Sequence, residues 1–315
     1  MNSGLDVVTF GESMVLFAPS ERETLESASA YHASIGGAES NCAIGLARLG
    51  YSVSWVSRLG RDPFGARVLK TIRGEGVDVS RVEMCDSAPT GLMFKEPGPG
   101  NTTRVFYYRR QSAAAALRLE QFESLGAKYL FVTGITPALS DSNRRLTFDL
   151  VERFRAAGAK VAFDPNMRFR LWTPNEARTV FLELARNCDV LIPSLAEAEI
   201  MTGLNGGDSM LDALLSLGPP QVVLKAGDKG AWYADAAEHG FCPCHSVQEI
   251  DPVGAGDAFC AGVLSGLLDG QPLREAVTRG AALGAFCVST FGDYQGLPDR
   301  LGLKAFMEGS SIPGR

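Results

Sequence analysis

Asp251-Pro252-Val253-Gly254-Ala255-Gly256-Asp257-Ala258-Phe259 turns a loop of small residues into an apolar helical pattern that runs through Leu268. Small residues just before a helix let successive backbone N–H groups converge on an anion, and the positive end of the helix dipole favours negative charge there. Phosphate oxygens suit such a turn at Gly254, Ala255 and Gly256. An aspartate at the same helix start, Asp257, is placed to accept the proton of a hydroxyl that attacks the phosphate. The plainer alternative is a tight strand-to-helix turn in which Asp257 only complements the dipole.

Outward from this turn, short apolar runs alternate with longer helix-patterned stretches. The runs are Val7 to Phe10, Val53 to Val56, Tyr129 to Val132, Val161 to Phe163, Val190 to Ile192 and Val222 to Leu224. Such alternation predicts a mostly parallel α/β sheet covered on both faces, so a doubly wound sandwich in one domain over 1–315 is expected. Helix candidates Gly37 to Leu49, Asp62 to Arg73 and Asp141 to Ala157 stop at Gly50, Gly74 and Gly158, the residue type favoured just past a helix. Two stretches, about 13–35 and 90–110, interrupt the alternation. The second holds two strand-like runs around the turn-prone Pro97-Gly98-Pro99-Gly100-Asn101 and reads as a hairpin. Strands inserted without helices of their own are expected to form a small β-sheet lid over the active site.

Composition narrows the function classes. At 315 residues, 45% hydrophobic and 21% charged, the chain has ample material for a large core. A formal charge of -6, with no lysine or arginine run to neutralise successive phosphates, argues against a nucleic-acid partner. No segment approaches the ~20 apolar residues of a membrane span, and the polar start Met1 to Asp6 has no basic region followed by an apolar one. A cytoplasmic protein without a membrane partner is therefore expected. Seven cysteines is an odd number, and Cys42, Cys188, Cys260 and Cys287 lie in apolar runs where reduced cysteine behaves as a small hydrophobe. Cys242-Pro243-Cys244-His245 lacks an obvious further ligand for a tetrahedral metal site and reads as a turn.

At Asp251, Pro252, Gly254, Ala255, Gly256, Asp257, Ala261 and Gly262 the opening run resembles the second signature of the ribokinase-like (PfkB) carbohydrate kinase family. Gly36-Gly37-Ala38-Glu39-Ser40-Asn41-Cys42-Ala43, followed by Leu46 to Gly50, is similar to the first signature. A di-glycine before a helix permits close backbone approach to a sugar, and Asn41 offers hydroxyls both a donor and an acceptor. The resemblance implies a ribokinase-like three-layer α/β sandwich with a lid, ATP and Mg²⁺ as cofactors, and Asp257 as general base. Gly60-Arg61-Asp62-Pro63-Phe64-Gly65 looks like the family's helix entry, a structural element. Lys225-Ala226-Gly227-Asp228-Lys229-Gly230-Ala231 resembles the strand and turn beside the ATP phosphates and ribose, which implies nucleotide contacts at Lys225, Gly227 and Gly230. Pro193-Ser194-Leu195-Ala196-Glu197 occupies the place of the family's Asn-x-x-Glu motif, with Ser194 for the usual Asn. It implies Ser194 beside the nucleotide and Glu197 holding Mg²⁺ through water.

Further runs resemble the branch of the family that phosphorylates 2-keto-3-deoxygluconate. They are Pro89-Thr90-Gly91-Leu92, Arg104 to Arg109, Ser112-Ala113-Ala114, Gly134 to Leu139 and Asp164-Pro165-Asn166-Met167-Arg168. The resemblance implies conversion of that sugar acid to its 6-phosphate, with Gly37, Asn41, Tyr107, Arg109, Arg168, Asp257 and Asp293 at the substrate. Tyr107 and Arg109 would share one face of a strand, and arginine matches a carboxylate bidentately. Met93 stands where a substrate-facing Tyr is common, and Ala281 where an Asn often borders the adenine. A fructokinase or other sugar kinase remains an alternative, as does a catalytically silent sugar-binding regulator, although retention of Asp257 with the small-residue turn argues against silence. A nicotinamide dehydrogenase is disfavoured, because no Gly-x-Gly-x-x-Gly follows the first strand. Lid edges in such kinases often pair between subunits, so a homo-oligomer is expected.

Overall fold

Two adjacent residues can both be buried in one strand only if the sheet is covered on both sides, since successive side chains leave opposite faces. That condition holds along the apolar runs of this chain. The computed structural model describes residues 4–98 and 102–309. Its strands are β1 (Leu5–Phe10), β2 (Met14–Pro19), β3 (Tyr31–Gly36), β4 (Val53–Val56), β5 (Arg58–Gly60), β6 (Glu83–Cys85), β7 (Leu92–Pro97) and β8 (Thr103–Tyr108). They continue with β9 (Ala127–Thr133), β10 (Lys160–Asp164), β11 (Val190–Leu191), β12 (Gln221–Lys225), β13 (Gly230–Ala234) and β14 (His239–Pro243). The helices are α1 (Ala38–Arg48), α2 (Pro63–Gly74), α3 (Thr136–Leu139), α4 (Asp141–Ala156), α5 (Pro174–Arg186), α6 (Leu195–Thr202), α7 (Gly207–Leu215), α8 (Ala255–Leu268), α9 (Leu273–Val288) and α10 (Arg300–Met307).

An eight-stranded sheet has the order β14-β13-β12-β11-β10-β9-β1-β4. The strands from β4 to β12 run parallel, and β13 and β14 close the edge antiparallel. Tyr129 and Phe131 of β9 face a core with Cys42 of α1, Val263 of α8 and Leu283 of α9. Leu130 and Val132 face a second core with Leu150 of α4 and Phe181 of α5. Two helical layers therefore enclose the sheet, the three-layer sandwich expected from the alternation. Helix α8 lies very close to α9: a Cβ added at Gly262 would stand 2.5 Å from the Cα of Gly280. Residues 257–266 of α8 are buried between its neighbours, including α9 and α1.

The two interrupting stretches form a separate four-stranded sheet, β3-β2-β7-β8. Strand β2 pairs antiparallel with β3 and parallel with β7, and β7 and β8 form the expected hairpin. Of the turn foreseen at Pro97 to Asn101, residues 99–101 lie outside the described residues. Strand parity puts Met14, Leu16 and Met93 together in a small apolar cluster on the sheet face that carries Val105 and Tyr107. Strand β8 ends at Tyr108, so Arg109 lies one residue past the strand on which it was expected. Asp62 has the structural role read from its motif. It caps α2 by accepting from the Gly65 N–H (2.8 Å) and also accepts from the Thr90 N–H (2.9 Å) at the base of the lid.

Candidate active site

Under the inner face of the small sheet, at the carboxyl ends of the parallel strands, lies a cleft of about 440 Å³. Open α/β sheets place ligand sites at this end. Helix α8 points its N-terminus into the cleft. Gly254 caps it in a left-handed conformation (φ 86°), and a Cβ there would stand 2.1 Å from the Asp293 carbonyl oxygen. Gly256 meets nothing nearer than the Lys225 Nζ at 3.9 Å, which leaves its backbone open to the cleft.

Asp257, in the first turn of α8, is only 8% exposed. Its Oδ2 accepts from Asn41 Nδ2 (2.8 Å) and its Oδ1 from Asn166 Nδ2 (3.1 Å). Burial pushes its pKa up to about 6, against the Asn41 hydrogen bond and the charge of Arg168, while Asp164 and Asp293 add to the rise. A carboxylate poised there is ionised at neutral pH and basic enough to take a proton in a transition state. Asn166 adopts a left-handed backbone (φ 38°), unusual for a residue other than glycine, and its amide reaches both Asp257 and Asp164 (Oδ2, 3.4 Å).

The di-glycine before α1 is required by the protein itself as well as open to the cleft. A Cβ at Gly37 would meet the Glu12 carbonyl oxygen at 2.3 Å, and one at Gly36 would meet Asp293 Oδ2 and the Met93 Cε, each at 2.5 Å.

The cleft's cations differ in their pairing. Lys225 bonds Asp164 (2.7 Å), and although burial is the largest single influence and opposes its charge, Asp164 with Cys260 and Glu197 together outweigh it and hold the ammonium well above the usual lysine range. Lys95 bonds Asp293 (2.6 Å), and the Arg109 guanidinium meets Glu12 (2.5 Å) beside the Tyr107 ring. Arg168 has no carboxylate partner among the described residues and only a long contact from Nη1 to the Met167 carbonyl (3.5 Å). Several buried atoms in the lining, Glu39 Oε2, Asn41 Oδ1 and Arg109 Nε, have no hydrogen-bond partner among the described residues. A buried polar atom left so costs about 1–3 kcal/mol, which a ligand would recover.

Thus Gly37, Asn41, Tyr107, Arg109, Arg168, Lys225, Gly254, Gly256, Asp257, Asp293 and Glu197 come together from across the chain. Ser194, Gly227, Gly230 and Ala255 lie outside this lining. Ser194 caps α6, and Gly230 is demanded by its turn, since φ is 125° and a Cβ would stand 2.0 Å from the Cys242 carbonyl oxygen. Glu197 completes the capping box of α6 by accepting from the Ser194 N–H (2.7 Å), and its other oxygen accepts from the Met167 N–H (2.7 Å). Sequence reading assigned no role to Glu12, Glu39, Lys95, Asp164 or Asn166. Glu39 sits with one oxygen on Thr133 (2.5 Å) and Thr136 (2.9 Å), and burial pushes its pKa up to about 7. For Lys95 a signal existed: a charge two residues from Met93 in a strand must share its inward face.

A sandwich with a four-stranded lid over a cleft, where a helix start, a buried acid and unequal cations meet, is the architecture of the ribokinase-like class. The model of the pfkB family carbohydrate kinases matches residues 5–300. The 2-dehydro-3-deoxygluconokinase of Bacillus subtilis (strain 168) is 41% identical over 310 residues, covering 96% of this chain and 95% of its own. The 2-dehydro-3-deoxygalactonokinase of Haloferax volcanii is 34% identical over 91% of this chain and 92% of its own. The crystal structure of a PfkB protein from Polaromonas sp. JS666 superposes with a TM-score of 0.87 at 39% identity, covering 96% of this chain and 99% of that one. The chain belongs to the PfkB family of carbohydrate kinases.

Proposed function

We propose that this carbohydrate kinase transfers the γ-phosphoryl group of ATP to the terminal hydroxyl of a 2-keto-3-deoxy sugar acid, 2-keto-3-deoxygluconate, with Asp257 as general base. The hydroxyl oxygen forms the new bond to phosphorus, its proton passes to Asp257, and the bond to the β-phosphate oxygen breaks to release ADP. The open backbone at Gly256 and the α8 N-terminus receive the phosphate oxygens, and Lys225 supplies positive charge beside them.

Among the described residues no three His, Cys, Asp or Glu side chains form a metal cage. Mg²⁺ keeps most of its waters and arrives on phosphates, so an outer carboxylate suits it, and Glu197 provides oxygen donors of that kind in the cleft. When bound, the ion would neutralise charge on the transferring group. Glu197 already accepts two backbone N–H groups, a fixed position consistent with acting through water.

The observation that carries the substrate reading is Arg168, the arginine of the cleft that no carboxylate pairs with among the described residues. A partly buried guanidinium invites a planar anion, and a neutral hexose would leave it unpaired. The likeness to the Bacillus subtilis 2-dehydro-3-deoxygluconokinase supports the same substrate. The test is a panel of sugars and sugar acids assayed for ADP release. 2-Keto-3-deoxygluconate should exceed fructose and ribose in kcat/KM by roughly 10²-fold or more. Arg168→Leu should narrow that preference by weakening the acid alone. Equal use of fructose by the wild type, or an intact acid preference in the variant, would remove the carboxylate argument.

A further inference from the structure

Lys95 stands at the centre of β7 with its side chain on the lid's inner face, 7% exposed. Its ammonium bonds Asp293 Oδ1 (2.6 Å) and lies 3.9 Å from Asp251 Oδ2. Both acids are fixed to the phosphate turn. The carbonyl of Asp293 packs where a Gly254 side chain would be. Asp251 accepts from the Val253 N–H (3.1 Å) inside the turn and from the Gly292 N–H (3.3 Å) in the loop that carries Asp293. On its other side, Asp293 Oδ2 abuts Gly36 and thus the sugar end of the cleft. A single buried cation therefore joins a lid strand, the loop under the sugar and the turn that faces the phosphates.

We propose that Lys95 is a positioning residue that makes sugar-acid and nucleotide binding mutually strengthening. Without its charge, two buried carboxylates would face each other uncompensated, and the 292–293 loop would have to move away from the turn it supports. A ligand that draws the lid onto the core seats Lys95 between the acids and so orders the turn. A nucleotide that orders the turn presents the acids to Lys95. Linkage requires the two effects to be equal in binding free energy.

This inference rests on reading the cleft as a sugar-acid and ATP site, and the test separates the two. Calorimetry on the full chain measures a non-hydrolysable ATP analogue with Mg²⁺ and 2-keto-3-deoxygluconate, each alone and in the presence of the other. In the wild type each ligand should tighten the other by about fivefold or more, equally in both directions. In Lys95→Met the factor should fall to within about twofold of unity, with Lys95→Arg restoring most of it. If the methionine variant does not fold, Lys95→Gln, which keeps a donor for Asp293, is expected to show a reduced factor. Binding of both ligands to the wild type without mutual strengthening, or full strengthening in a folded Lys95→Met or Lys95→Gln, overturns the inference. Failure of the acid to bind the wild type at all overturns the substrate reading and this inference with it.

Discussion

As the proposed base, Asp257 would trade stability for chemistry. Its carboxyl is held at about 6 chiefly by burial, above the ordinary 3.8. Between those values the folded chain holds a proton that the unfolded chain has lost, so stability falls as pH rises through this window and the loss is complete above about pH 6. Asp257→Asn should therefore be more stable than the wild type at pH 7.5, by up to about 3 kcal/mol less what is lost where its amide replaces one of the two accepting oxygens, with the gap closing towards pH 4. The same variant should lose roughly 10²-fold or more in kcat while still binding ATP, and wild-type kcat/KM should decline as pH falls through about 6. Unchanged turnover in the variant would remove Asp257 as the base. The acid was legible in the sequence because it lies inside a motif. Its partners were less so, since Asn41 is 216 and Asn166 is 91 residues away, and no local pattern reports which amide meets which oxygen.

At the scale of elements, α8 separates two glycines that look alike in sequence. Gly254 has a positive φ and is pressed against the Asp293 carbonyl, whereas Gly256 has ordinary helical geometry and open space. Gly254→Ala should cost at least about 1 kcal/mol of stability from its backbone alone, more once the overlap is included, seen as a lower melting temperature. Gly256→Val should leave melting nearly unchanged and lower phosphoryl transfer by roughly tenfold or more, because the new side chain would stand between the helix start and the phosphates. Equal loss of stability in both variants would contradict this division. The strands, the helices and the lid stretches followed from hydrophobic period and turn residues, which are local properties. What stayed hidden were the ion pairs that join elements: Lys95 to Asp293 spans 198 residues, and Arg109 proved to be held by Glu12 rather than left free.

Across the whole molecule the two sheets differ greatly in what holds them. The eight-stranded sheet is covered by two extensive apolar cores, whereas the lid joins one of them through Val15 and Ile35, with Phe17, Ala33 and Leu92 packed against it, and has a small cluster of its own in Met14, Leu16 and Met93. The rest of its attachment includes the Phe17 ring against Phe64 of α2, the Asp62 bond to the Thr90 N–H, and ion pairs through Lys95 and Arg109. Local opening free energy follows buried apolar contact, so the lid should open in steps that leave the sandwich intact. Hydrogen exchange followed by mass spectrometry should show peptides from β7 and β8 exchanging at least about tenfold faster than those from β9 and β10, which lie mid-sheet. Adding 2-keto-3-deoxygluconate should slow the lid peptides selectively, because a ligand held between Arg168 on the core and Tyr107 on the lid stabilises only the state in which both are in reach. Exchange of lid and sandwich in a single step would show that the lid is not an independent unit. Protection confined to the β9 and β10 ends would place the acid on the core alone.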